Sequence, residues 1–168
     1  EKDNPSEDIH VQFEMAMYDE NGKKLSTPGV EYIKYTGEYP IDCNSFMSQK
    51  KGTNKIIWDP NEYINVMVYN FKTSDDAEGT TLGISHMPYT ANGYPQIEGL
   101  EDGKKQNLNK NNISFEYCLS INSLYINCES TRYTDGKHGQ EGYTYSSADA
   151  NVTLAHELGH FLGLHHVF

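Results

Sequence analysis

Apolar and polar residues alternate from Ile9 to Asp19, with Val11, Phe13, Met15 and Met17 falling on one side of an extended chain. That period of two predicts a half-buried strand. Asn21-Gly22 then turns the chain, and Val30 to Tyr39 is a second extended stretch closed by Pro40. Residues 41–55 show no period and include Gly52, which reads as a surface loop. Tyr63 to Phe71 is a near-continuous apolar run rich in Val and Ile, the pattern of a strand buried on both faces. Trp58, just ahead of it, is expected to pack in the core.

Leu82 to Pro88 reads as a short strand stopped by proline, and Phe115 to Asn127 as another extended segment. Between them, Tyr89 to Asn112 is rich in Asn, Gly, Lys and Gln and reads as an inserted loop. Glu129 to Ala150 is a further long loop. The pattern then changes to a helical one: Val152, Leu154, Ala155, Leu158, Phe161, Leu162 and Leu164 can bury most of a helix, with Asp149 or Asn151 as its N-cap.

Polar residues in this last segment carry chemistry. In HELGHFLGLHH, His156 and His160 stand four residues apart, so on a helix both imidazoles leave one face and can grip one metal ion. Gly163 can take a left-handed conformation and end the helix, which lets His166 return to the same ion. Three neutral imidazoles leave a fourth position for water, and Glu157, beside the first ligand, is placed to accept its proton. The cofactor expected is one zinc ion. His165 is assigned no role, and a lone strand histidine such as His86 is kept out of the metal site.

The extended form HELGHFLGLHHVF resembles the zinc-binding motif of the metzincin clan of metallopeptidases, and within it most resembles the pappalysin family. IIWDPNEYINVMVYN, from Ile56 to Asn70, is similar to that family's tryptophan-containing strand segment, and LGISHMP, from Leu82 to Pro88, to its next strand; the matches come in the family's order. The resemblance implies an α/β fold: a metzincin-type N-terminal subdomain in which a twisted, mixed and mostly parallel sheet with an antiparallel edge strand is backed by the zinc helix. It implies a zinc-dependent endopeptidase in which His156, His160 and His166 are ligands and Glu157 is the general base. It also implies that Gly83, Ile84, Ser85 and His86 lie on the sheet edge to which a protein or peptide substrate adds as a further strand.

The resemblance further implies that residues 1–168 are one partial catalytic domain. Metzincins have a methionine-bearing turn well after the third histidine, and the segment from Ile9 looks like the family's second strand. Two other functions fit the motif: a zinc-bearing but inactive peptide-binding or adhesion module, and a zinc amidase acting on a non-peptide substrate.

Composition narrows the partners. With 13 basic against 24 acidic residues the formal charge is −11, which disfavours nucleic acid and anionic membrane surfaces. No run of about 18 apolar residues predicts a membrane span, and EKDNPSED is not a signal segment. A secreted or cell-surface location is expected, with any signal segment outside this chain. Calcium would need ligands such as Asp135, His138 and Glu141, whose spacing fits no calcium motif and reads as a solvated loop. Tyr143 or Tyr145 is a candidate for oxyanion stabilisation. Cys43, Cys118 and Cys128 form no CxxC pair; a hairpin turning near Asn122-Ser123 would let Cys118 and Cys128 bridge, and buried free thiols are the alternative.

Overall fold

A computed structural model describes residues 10–48, 56–72, 81–90, 95, 100–102, 110–111, 113, 115–126 and 150–166. Two compact units divide after Tyr35.

The first unit departs from the sequence expectation. Asn21-Gly22 does turn the chain: the Asp19 carboxylate accepts from the N–H groups of Asn21 and Lys23 at 2.9 Å each, and Gly22 has φ 77°. The segments on either side, however, meet only through the isolated bridges Tyr18–Lys24 and Thr27–Val30, so the described part of the Ile9–Asp19 stretch is not a strand. Val11, Phe13, Met15 and Met17 remain 45%, 57%, 63% and 48% exposed. Alternation supplies an amphipathic pattern, but a strand also needs a ladder partner, and here the pairing ends within a few residues of the turn. The Val30–Tyr39 stretch likewise forms no strand.

The second unit is a small mixed α/β fold. Its elements in chain order are α1 (Cys43–Ser48), β1 (Val66–Tyr69), β2 (Gly83–Ser85), β3 (Tyr89–Thr90), β4 (Glu101–Asp102), β5 (Leu119–Asn122), a short 3₁₀ turn over Ser123–Tyr125, and α2 (Ala150–Phe161). Three strands form one sheet in the order β1-β5-β2, with β1 parallel and β2 antiparallel to β5. Among the described residues the sheet is therefore mixed, one of its two pairings parallel and the other, at the β2 edge, antiparallel. β3 and β4, inside the stretch expected to be loop, make a separate two-residue parallel pair.

The 41–55 loop expectation is corrected by α1. Asp42 caps it, its carboxylate accepting from the Ser45 N–H at 2.7 Å. Cys43, Phe46 and Met47, at spacing i, i+3, i+4, turn inward. They join Ile41, Ile57, Tyr69, Phe71, Ile113 and Tyr117 in the main core.

β1 is not the strand buried on both faces. It lies at one edge, and Ile64, Val66 and Val68 are 39%, 41% and 53% exposed. That position belongs to β5, the central strand, in which all four residues are buried. Asn122 at its end shows how an amide is accommodated there. Its Oδ1 accepts from the backbone N–H groups of Phe71 and Leu124, and its Nδ2 donates to the Thr81 carbonyl at 3.1 Å, so it ties the chain after β1 to the chain before β2. Trp58 is half-buried and meets Tyr63 edge-on at 4.9 Å, while Asn65 closes the loop between them by bonding the backbone of Trp58 in both directions.

Candidate metal centre

α2 packs on β2 and β5. Its wholly buried residues are Thr153 and Glu157, one turn apart, whereas Leu154, Leu158 and Phe161 are only half-buried. The helix thus presents a polar pair to the sheet, not the apolar stripe that its composition predicted. Phe161 meets Tyr117 at 5.2 Å and anchors the C-terminal end on the core. Of the two expected caps, Asn151 lies inside the helix and Asp149 lies outside the described residues.

The helix ends in a Schellman turn. The Gly163 N–H donates to the His160 carbonyl and the Leu164 N–H to the Gly159 carbonyl, both at 2.9 Å, with Gly163 at φ 98°. A side chain at 163 would be strained by that φ and would also crowd Pro88, whose Cγ stands 3.3 Å from the position of a Cβ. The reversal returns His166 to the helix face that carries His156 and His160.

The three Nε2 atoms form a nearly equilateral triangle, with edges of 3.0 Å (His156–His160), 3.0 Å (His160–His166) and 2.9 Å (His156–His166). Hydrogen bonding among neutral rings does not satisfy this arrangement. Each Nε2 is either donor or acceptor, so at least one edge of the triangle sets lone pair against lone pair or N–H against N–H. A shared cation would remove the conflict, and the three Nε2 atoms would hold it. The three histidines form a group that could hold a metal ion.

His160 is held in the tautomer a ligand needs. Its Nδ1 lies 2.7 Å from the carbonyl oxygen of Leu164, which can only accept, so Nδ1 carries the proton and Nε2 keeps its lone pair. Burial lowers the His156 pKa, with the charges of His160 and His166 acting in the same direction, and this favours its neutral, ligand form. Glu157 is 6% exposed; burial pushes its carboxyl above the usual carboxylate range, and His160 opposes that rise.

The candidate substrate strand is the sheet edge opposite β1. The Asn122 N–H donates to the Leu82 carbonyl and the His86 N–H to the Cys118 carbonyl. Since hydrogen-bonded pairs alternate in an antiparallel ladder, Gly83 and Ser85 direct their backbone groups away from β5, toward the side on which no strand pairs among the described residues. The Ile84 side chain packs against the core. His86 is a packed ring whose Nδ1 lies 3.1 Å from the Cys118 carbonyl, with Phe115 and Tyr117 at 5.0 and 5.3 Å. His165 is exposed. Asp135, His138, Glu141, Tyr143, Tyr145 and Cys128 lie outside the described residues. Cys118 is a free, fully buried thiol, so the bridge considered for it is not formed. The expected hairpin at Asn122-Ser123 is instead the 3₁₀ turn, with Asn122 as its cap.

Two relationships were not expected from the sequence: the Leu164 carbonyl orients His160, and Gly83, expected only as part of the substrate edge, lies against Glu157 and Thr153 of the helix. No protein family, curated protein or solved structure matches the chain.

Proposed function

We propose that this protein is a zinc-dependent endopeptidase of metzincin type. The observation that carries the reading is the triangle of Nε2 atoms, closed by the Gly163 turn, with a buried carboxylate one residue after its first member. Three imidazoles suit zinc and leave a fourth position for water. When bound, the ion would lower the pKa of that water and polarise a carbonyl.

The remaining steps belong to the chain's own side chains and backbone. Glu157, buried and next in the chain to His156, would take a proton from the water and return it to the leaving amine. The outward backbone groups of Gly83 and Ser85 bind an extended peptide by strand addition, which aligns it without reading its side chains.

Elemental analysis of the purified protein is expected to give close to one zinc per chain, lost in His160→Ala. Glu157→Gln is expected to keep the zinc and to lower turnover of a mixed peptide library by about 10³-fold or more. Metal loss in Glu157→Gln would make Glu157 a ligand. A zinc-loaded wild type that binds peptides without cleaving them would make this a peptide-binding module.

A further inference from the structure

Gly83 is a glycine in a strand, a position where glycine normally weakens the ladder. Its φ lies outside the left-handed region, so the backbone does not require it. The space around it does. A Cβ at 83 would stand 2.7 Å from Glu157 Cγ, 2.8 Å from Glu157 Oε1 and 2.9 Å from Thr153 Cγ2, all closer than real Cβ atoms come to a neighbour. The two helix residues that α2 buries completely are these same two.

We infer that Gly83 is a positioning residue for Glu157: the side chain missing from β2 is the slot in which the Glu157 side chain lies, and the strand, flanked by Thr153, sets where its carboxylate points. This rests on the reading of Glu157 as the general base. Three features make the slot stiff. Gly83 pairs with Ile121 in the central strand, and the Leu82 carbonyl beside it accepts from the Asn122 N–H at 2.8 Å, so the strand cannot withdraw. Thr153 is buried at 6% exposure, so its β-branched side chain has little room to move aside. What yields to a methyl group at 83 is therefore Glu157, and it yields at Cγ, which moves the carboxylate with it. The histidine triangle leaves the neighbouring face of α2, where His156 and His160 stand, and is closed by the Gly163 turn; the atoms that crowd residue 83 belong to Glu157 and Thr153 and not to the three histidines.

The same geometry separates two contributions of residue 83. Its backbone N–H and C=O face the free edge, where an extended peptide would bind, while the absent side chain faces α2. Adding a methyl group leaves the first in place and removes the second. The expected signature of Gly83→Ala is thus a fall in kcat of about a hundredfold, the cost of misplacing a catalytic group by roughly 1 Å, with KM changed less than about threefold and zinc content unchanged.

A second measurement reads the slot without catalysis. With Thr153→Ser throughout, to remove the flanking methyl group, Gly83→Ala is made in the full chain both with Glu157 present and with Glu157→Ala. Where Glu157 is present the methyl group should lower Tm by several degrees; where Glu157 is truncated it should leave Tm unchanged or raise it, since alanine is the better strand residue. If Gly83→Ala fails to fold but folds once Glu157 is truncated, the inference stands. Equal loss of Tm or of folding in both backgrounds overturns it, as does an unchanged kcat in Gly83→Ala. Absence of turnover in the wild type refutes the peptidase reading on which the positioning role rests, and the Tm pair then still reports whether Glu157 occupies the slot.

Discussion

The Nδ1–H of His160 donates to the carbonyl oxygen of Leu164 at 2.7 Å, so the residue that follows Gly163 fixes the orientation of one histidine of the triangle before the chain reaches the next. One turn therefore serves two histidines: it orients His160 and delivers His166. Gly163→Ala places a Cβ at φ 98° and 3.3 Å from Pro88 Cγ, at a cost of about 1–2 kcal/mol for the conformation alone. Zinc affinity, measured by competition with a chelator, should fall about 10- to 100-fold. Gly22→Ala is the control, since Gly22 has φ 77° and a Cβ there would meet nothing within 4 Å. An equal loss of zinc affinity in both variants would mean that general destabilisation, not the turn, accounts for it.

The histidine cluster was legible in the sequence because its geometry is local. Offsets of four and ten residues with a glycine between them define helix face, stop and return, and none of this requires long-range packing. The strands were legible only as amphipathic or apolar segments. Tyr63–Phe71 and Phe115–Asn127 contain β1 and β5, yet which of the two is central depends on pairing between residues about fifty positions apart, which no local period encodes. The same limit explains Ile9–Asp19, whose alternation is real and whose ladder is missing. Helix α1 escaped for another reason: six residues are too few for a period to stand out, although Asp42 followed by Cys43, Phe46 and Met47 holds both its cap and its buried face. The slot at Gly83 was invisible because it joins residue 83 to residues 153 and 157 across the fold.

Cys43 and Cys118 are free and buried, and burial raises both thiols, Cys118 to about 12 despite a hydrogen bond with Ser120 that lowers it. At pH 8 a thiol of that pKa is ionised in roughly one molecule in ten thousand, and the thiolate is the reactive form. In Cys128→Ser, which leaves only these two thiols, labelling by a disulfide reagent should be at least about a hundredfold slower in the native protein than in denaturant, and should track unfolding. Rapid native labelling of either thiol would contradict the core as described.

Glu116 provides the pH dependence. It is 8% exposed, its Oε2 has no hydrogen-bond partner among the described residues, and burial raises its pKa above the ordinary 4.5, with a hydrogen bond from the Ile57 backbone and the charge of Lys110 opposing the rise. A carboxyl whose pKa is higher folded than unfolded binds its proton more tightly in the folded state. Its favourable contribution is therefore fully present below the unfolded value and is lost as pH rises through the folded one. Above that window the native protein carries a desolvated carboxylate, one oxygen of which lacks a hydrogen bond. Glu116→Gln removes the charge, and its carbonyl oxygen can still accept from Ile57. The variant should be more stable than wild type at pH 7 by about 1 kcal/mol, an advantage that shrinks as the pH is lowered toward 4.5, when both proteins are unfolded by urea with zinc present at saturation. A variant less stable than wild type at pH 7 would show that the folded protein favours the Glu116 carboxylate, and a difference that does not change between pH 7 and pH 4.5 would show that folding does not raise its pKa.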